Sequence, residues 1–297
     1  MLSLDQRQVS FVERAFRTVA PVARSPRAVA KGGGAGAVVS SEVLVSLQYD
    51  GAFRLVTDEP FEVSADAASR YGYADSIPDT ESVTVLDVVV EAHRRIYGEA
   101  FTRETAHNYL EIGDYDAVRR IVGEPGRYTY FVINGHYIYD AESEYQKIGF
   151  TGLTQTNTPV YDYDVVEIFS FSTSRMGMDY YTYFTNPSGR HEYCAMAHPG
   201  EPITIKQEGF YYAYAGPLTH KDRRESGMVR PIVGSQLAVI DPITKQLTDV
   251  PEAISDGEGL ITFSFAEPGF YYVTAHGGKA RRKDANKSLP WLPVIIG

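Results

Sequence analysis

The chain of 297 residues contains one cysteine, Cys194, and one tryptophan, Trp291. A lone cysteine excludes an internal disulfide, and with it the small secreted class whose folds are stapled rather than cored. No apolar run approaches the roughly 20 residues of a membrane-spanning helix, so no span is expected. Catalytic signatures are missing too. There is no Gly-x-Ser-x-Gly nucleophile elbow, and the run from Gly32 to Gly36 lacks the Lys-Ser/Thr end and the preceding strand of a phosphate loop. No catalytic residue and no cofactor is therefore assigned, and the chain reads as a non-enzyme. Positive charge is scarce over most of its length. Residues 32–190 carry eleven basic against twenty-four acidic side chains, and residues 191–297 carry eleven against twelve. Such a body repels phosphate backbones, which excludes nucleic acid as a partner for everything beyond the first 31 residues.

What the chain has in quantity is tyrosine, 22 residues against 14 phenylalanines, an amphipathic aromatic that suits half-buried strands and contact surfaces. The length favours two ordinary domains. Residues 1–37 read as a flexible basic arm. Within it Leu4, Val9, Phe11, Val12, Phe16 and Val19 recur at helical spacing before Pro21, and the glycines from Gly32 to Gly36 form a hinge. The arm is a linker or a degenerate export signal. Ala28-Val29-Ala30 offers a small-x-small exit, whereas Glu13, Arg14 and Arg17 interrupt the apolar stretch.

Residues 38–190 form the first expected domain. Val43, Val45, Leu47 and Tyr49 alternate with Leu44, Ser46 and Gln48, the pattern of a half-buried strand ending at Asp50-Gly51, and a second strand is expected over Phe53 to Val63. Ser82-Val83-Thr84 precedes a helix over Val85 to Tyr97, stopped by Gly98, with His93 on its apolar stripe as a satisfied core histidine. Asn134-Gly135 between Tyr128–Ile133 and His136–Asp140 predicts a tight hairpin, since both central residues tolerate positive φ. Tyr163 to Ser172 reads as a further strand, with Tyr180 to Phe184 returning beside it. Strands, one helix, a hairpin and more strands define a β-grasp-like α+β unit.

Three segments carry a resemblance: Thr84-Val85-Leu86-Asp87-Val88-Val89, then Tyr130-Phe131-Val132-Ile133-Asn134-Gly135, then Asp162-Tyr163-Asp164-Val165-Val166-Glu167. Over roughly residues 40–186 the chain resembles the family related to the carboxyl-terminal domain of transcobalamin and intrinsic factor. In that family a Gly-Asp turn precedes the last strand, where this chain has Tyr163-Asp164. The resemblance implies a bacterial cell-surface setting, extracellular or displayed on the cell, and it raises a corrinoid-like or other planar ligand as an alternative role.

Residues 191–297 are expected to form an all-β second domain. Strands are read over Glu201 to Ile205, Tyr211 to Tyr214, Gln236 to Asp241, Leu260 to Phe265, Phe270 to Ala275 and Leu289 to Ile296, punctuated by Asp241-Pro242, Asp256-Gly257 and Pro268-Gly269. Short strands without a helix predict an immunoglobulin-like β-sandwich resting on an apolar core. Pro231, Gly234, Asp256, Gly259, Phe263, Phe265, Pro268, Gly269 and Tyr271 resemble the bacterial immunoglobulin-like and carboxypeptidase-regulatory-like repeats, which implies a stalk or spacer on an exported protein.

Candidate contact residues follow from the tyrosines. Tyr137 and Tyr139 on the hairpin and Tyr181 and Tyr183 on a later strand would, if exposed, offer rigid rings to a glycan, a cell-surface protein or a small planar ligand. His191, Cys194, Met196 and His198 form the densest donor cluster, yet chain-junction histidines are more often packing residues, and no metal is assigned. Asp162 and Asp164 read as a solvated turn. The expectation is thus a non-enzymatic adhesion or ligand-display module; small-molecule binding is the alternative, and a hydrolase without a recognised signature comes third.

Overall fold

The computed structural model describes residues 27–28, 38–57, 59–73, 81–113, 118–126, 128–137, 156–173, 179–192, 194–211, 228–280 and 286–297. The helix expected before Pro21, the glycine hinge, Tyr139 and residues 212–214 lie outside them. The protein is mostly β, with one main helix and several sheets. Its contacts divide it into two compact units, residues 17–173, and residues 174–297 together with residues 1–16. Among the described residues no helix is long and apolar enough to cross a membrane.

In the first unit the long strand Val39–Tyr49 is central. It runs parallel to Val165–Phe171 on one edge, and on the other it pairs antiparallel with Ala52–Val56 and then Phe61–Ser64. The single strand expected over Phe53 to Val63 is therefore two. The break falls at Thr57, whose hydroxyl accepts the Val45 N–H at 2.9 Å and so takes a place in the ladder, while Pro60 has no N–H to continue it. Tyr128–Ile133 lies antiparallel to Val165–Phe171 on its far side. It turns at Asn134 and Gly135, with φ of 52° and 72°, into His136–Tyr137, the predicted hairpin.

The main helix, Val85–Tyr97, begins and ends as its sequence dictates. Thr84 caps it and Gly98 closes it at φ 55°. Arg95 lies over the Phe61 ring, 4.1 Å from its centroid, which marks the covered sheet face as that of Val43, Val45, Leu47, Phe131 and Ile168. Asp87 is fully buried; its carboxylate accepts from Thr84 N, Thr84 Oγ1 and, at 2.8 Å, Ala68 N. His93 is the expected satisfied core histidine. Its Nδ1 lies 2.7 Å from the Val89 carbonyl, and Nε2 accepts the Val122 N–H at 2.9 Å. This fixes one neutral tautomer, and burial pushes the imidazole pKa down to about 4. The bond also helps hold Val122 at φ 47°, a conformation that β-branched residues seldom adopt.

Asp162 and Asp164 are not a solvated turn. Asp164 is buried and accepts from Asn134 Nδ2 at 2.7 Å and Tyr161 N at 2.9 Å, while Asp162 accepts the Glu42 N–H. Asn134 in turn accepts the Val165 N–H. The two carboxylates lock the hairpin and the parallel strand pair together where the ladder begins.

The second unit is two sheets face to face. One joins Tyr180–Thr185 to Ile203–Tyr211, which continues to Leu260–Phe263 and Arg230–Pro231. The other runs in the order Ala195–Ala197, Trp291–Ile296, Gly269–Lys279, Val233–Ile240, Leu247–Ile254, its first pair parallel. Phe184, Ile205 and Ile261 from the first sheet meet Leu237, Val273 and Leu292 from the second in one apolar core. Tyr180–Thr185 thus does not return beside Val165–Phe171. Phe184 belongs to the sandwich core, and the Tyr180 ring packs on Tyr211 at 4.1 Å, so the strand gains its burial in the second unit. Leu247–Ile254, which no sequence pattern marked, is an edge strand with polar side chains, Pro251 and a bulge.

Candidate functional site

The four tyrosines singled out in the sequence divide. Tyr137 pairs by its backbone with Val132, and its side chain and all of Tyr139 lie outside the described residues. Tyr181 and Tyr183 project from the sheet face opposite the sandwich core and are nonetheless buried, at 1% and 3% exposure. Their rings stack at 5.5 Å, both meet Phe210 edge-on, and His191 lies parallel to Tyr183 at 5.3 Å. Here they act as packing residues, and they offer no open ring face.

The donor cluster does not converge. His191 is committed to Tyr183. The Cys194 thiol points to the Ala195 carbonyl at 3.6 Å, and burial pushes its pKa up to about 12, so the thiol stays protonated at neutral pH. Met196 is 65% exposed, and His198 Nδ1 lies 2.7 Å from the Gly297 carbonyl. Among the described residues no three His, Cys, Asp or Glu side chains are placed to hold a metal.

A different aromatic group is open to solvent. It gathers where the main helix ends. The Tyr97 and Tyr109 rings stack with centroids 3.9 Å apart, Phe101 lies 6.1 Å from Tyr109, and Tyr71 adds its ring to Phe101 at 4.9 Å. Phe101 is buried, whereas Tyr71, Tyr73, Tyr97 and Tyr109 are half-buried. The local sequence explains the arrangement. Gly98 ends the helix directly after Tyr97, a short helical turn over Ala106–Asn108 carries Tyr109 back across it, and the buried His93 ring supports Phe101 from below at 5.9 Å. The Tyr73 hydroxyl is fixed on the Leu110 carbonyl at 2.7 Å.

Burial raises the pKa of Tyr73, with Glu111 adding to the effect, and burial likewise raises that of Tyr97. Both hydroxyls stay protonated at neutral pH. The stack can offer ring faces and neutral hydroxyls, the chemistry of contact rather than of proton transfer. Sequence reasoning missed it because Tyr97 fell on the apolar stripe of a helix and so read as core, while Tyr109 lies in a stretch without periodicity. The one available signal was Gly98, which places Tyr97 at an exposed helix end.

No protein-family model matches the chain, and no curated protein matches it.

Proposed function

We propose that this chain is a non-enzymatic module of an exported bacterial cell-surface protein, serving adhesion or ligand display through the Tyr71–Tyr97–Tyr109 group. The observation that carries this reading is the preformed, half-exposed stack on a rigid helix end, which gives large contact area at little cost in conformational entropy. The architecture supports it. A parallel central pair flanked by antiparallel strands and crossed by one helix has a β-grasp-like outline. What supports an immunoglobulin-like reading of the second unit is its pair of facing sheets, with Tyr180–Thr185 at the edge of one and Ala195–Ala197 on the parallel edge of the other. The Tyr271 hydroxyl donates to the Glu267 carbonyl at 2.9 Å, a contact of the kind a tyrosine corner makes.

The test is binding of the full chain to a panel of immobilised bacterial and host glycans, repeated with Tyr97→Ala, Tyr109→Ala. The expected result is binding by the parent chain that falls at least about tenfold, near 1.4 kcal/mol, in the double variant. Binding that survives the double substitution would remove the stack from the reading. Because the stack covers one side of a ligand only, cobalamin affinity is expected to be no stronger than roughly millimolar. A micromolar constant lost in the same variant would favour the small-molecule alternative.

A further inference from the structure

The first unit contains a turn that its own sequence disfavours. Val118–Ile121 and Glu124–Pro125 pair as a hairpin across Val122 and Gly123, whose φ values of 47° and 79° are those of a type I′ turn. Asn, Asp or Gly suits the first of these positions, and a β-branched valine does not. The Val122 N–H donates to His93 Nε2 at 2.9 Å, both residues are buried, and the bond braces the strained turn against the main helix. Tyr109 rests on the same turn. The Gly123 N–H donates to the Tyr109 carbonyl at 2.9 Å, and a Cβ at Gly123 would lie 3.8 Å from the Tyr97 hydroxyl. Imidazole, turn and stacked rings therefore form one chain of contacts.

The chain holds for one protonation state. His93 Nδ1 donates to the Val89 carbonyl at 2.7 Å, which leaves Nε2 as the acceptor. A second proton would sit on Nε2 and face the Val122 N–H, donor against donor, at a buried position. Among the described residues nothing supplies a counter-charge. From the helix Tyr97 faces the ring at 6.3 Å, and from the turn after it Phe101 does so at 5.9 Å. Asp87, Glu91, Arg94 and Arg95 of the helix are engaged with Thr84 and Ala68 or with one another. Glu42, Arg54, Glu62, Arg70 and Glu99 on the elements packed against the helix, and Arg119, Arg120 and Glu124 on the hairpin, do not bear on the ring, whose ionisation answers to burial and to the Val89 carbonyl. We infer that protonation of His93 opens the Val122-Gly123 turn and frees Tyr109 from Tyr97, so that the aromatic stack is assembled at neutral pH and comes apart in acid. Strain at Val122 favours the open form once the bond is lost. Burial holds the imidazole at about 4 against 6.5 when solvated, so between these values the open form takes up the proton, and opening is favoured about fiftyfold more at pH 4.5 than at pH 7. Resting on the reading of the stack as a contact site, this makes release of its ligand acid-dependent.

Amide hydrogen exchange of the full chain, corrected for the intrinsic rate at each pH, tests the turn. Protection of residues 118–126 is expected to fall at least about tenfold from pH 7 to pH 4.5 and to be insensitive to low urea, the mark of a local opening. No fall, or a fall with the same urea dependence as residues 39–49 and 128–133, would overturn the inference. His93→Gln, which keeps an acceptor and takes up no proton, should abolish the fall, and a folded variant that retains it would remove His93 from the device. Because that variant can fail to fold, the parent supplies a second measurement: the titration of the His93 ring by NMR must coincide with the loss of protection, and a separate midpoint counts against the link. Hydroxyl-radical labelling of Tyr97 and Tyr109 should rise several-fold over the same range, and unchanged labelling would mean that the stack survives acid. No glycan enters these readouts, so a chain that binds none would remove the proposed function and leave this result standing.

Discussion

In the first unit the main helix buries Val85, Leu86, Val88, Val89 and Val90 and adds two polar contacts, Asp87 and His93, both fully buried and each hydrogen-bonded to backbone outside the helix. In the second, the sheets meet through Phe184, Ile205, Leu237, Ile261, Val273 and Leu292, and the buried polar contacts, Thr182 with Ser288 among them, are added to that apolar core. The two kinds of core fail differently. A buried polar lock specifies one arrangement of backbone, and losing one of its atoms strands donors or acceptors that water cannot reach. An apolar core distributes its stability over many contacts, each worth little and each tolerant of a near-isosteric change. The first unit should therefore be brittle to single polar substitutions and to acid, and the second should yield gradually.

The sharpest break of this contrast is Asp87→Ala. It removes the acceptor from three buried donors, Thr84 N, Thr84 Oγ1 and Ala68 N, and undoes the capping box. The expected cost is about 4 kcal/mol, in the range for breaking a buried charged network. Two probes separate the units, since the main helix lies in the first and Trp291 in the second. In urea the 222 nm signal should lose its midpoint while Trp291 fluorescence keeps its own. A Trp291 transition that moves as far as the helix signal would show that the units unfold as one.

Acid sharpens the same comparison by a slightly smaller amount. Burial holds His93 at about 4, against 6.5 in an unfolded chain. At pH above 6.5 the imidazole is neutral in both states and costs nothing. As pH falls from 6.5 towards 4, the unfolded chain takes up a proton that the folded unit refuses, and stability drops by up to about 3 kcal/mol, with no further loss from this group below pH 4. Urea titrations of the helix signal at pH 7 and pH 4.5 measure it. His93→Gln, which keeps an acceptor near Val122 N and cannot titrate, should flatten that part of the profile. An equal pH slope in the parent and the variant would mean that other groups carry the acid response.

How far the sequence disclosed these features depends on whether a signal is local. The helix from Val85 to Tyr97 was legible at both ends because Thr84, Asp87 and Gly98 act within one turn of their own positions. The Asn134-Gly135 hairpin was legible for the same reason, since positive φ is a property of the residue itself. Tyr180–Thr185 was misplaced because alternation marks a strand but not its partner; only Tyr211 and the sandwich core decide that, far along the chain. Asp164 was misread because a turn carboxylate looks solvated until Asn134 is brought to it from another segment, beside the local Tyr161 N–H. The candidate stack was missed by the same rule: Tyr71, Tyr97 and Tyr109 come from separate stretches, and no spacing joins them.

The smallest effect tests an exposed hydrogen bond of the second unit, in contrast to the buried ones that join Thr182 to Ser288. It is that of Tyr271, with its hydroxyl on the Glu267 carbonyl at 2.9 Å and its ring flat against Phe265 at 4.1 Å. Tyr271→Phe removes the hydrogen bond and keeps the stacked ring, so packing is unchanged and the bond is measured almost alone. Water can reach this hydroxyl and replace the lost partner, which places the cost at the low end for a hydrogen bond, about 1 kcal/mol or less. Trp291 fluorescence in urea reads it as a small fall in midpoint at unchanged slope. A loss near that of Asp87→Ala would mean that the corner, and not the apolar core, holds the sandwich together, and the contrast between the two units would disappear.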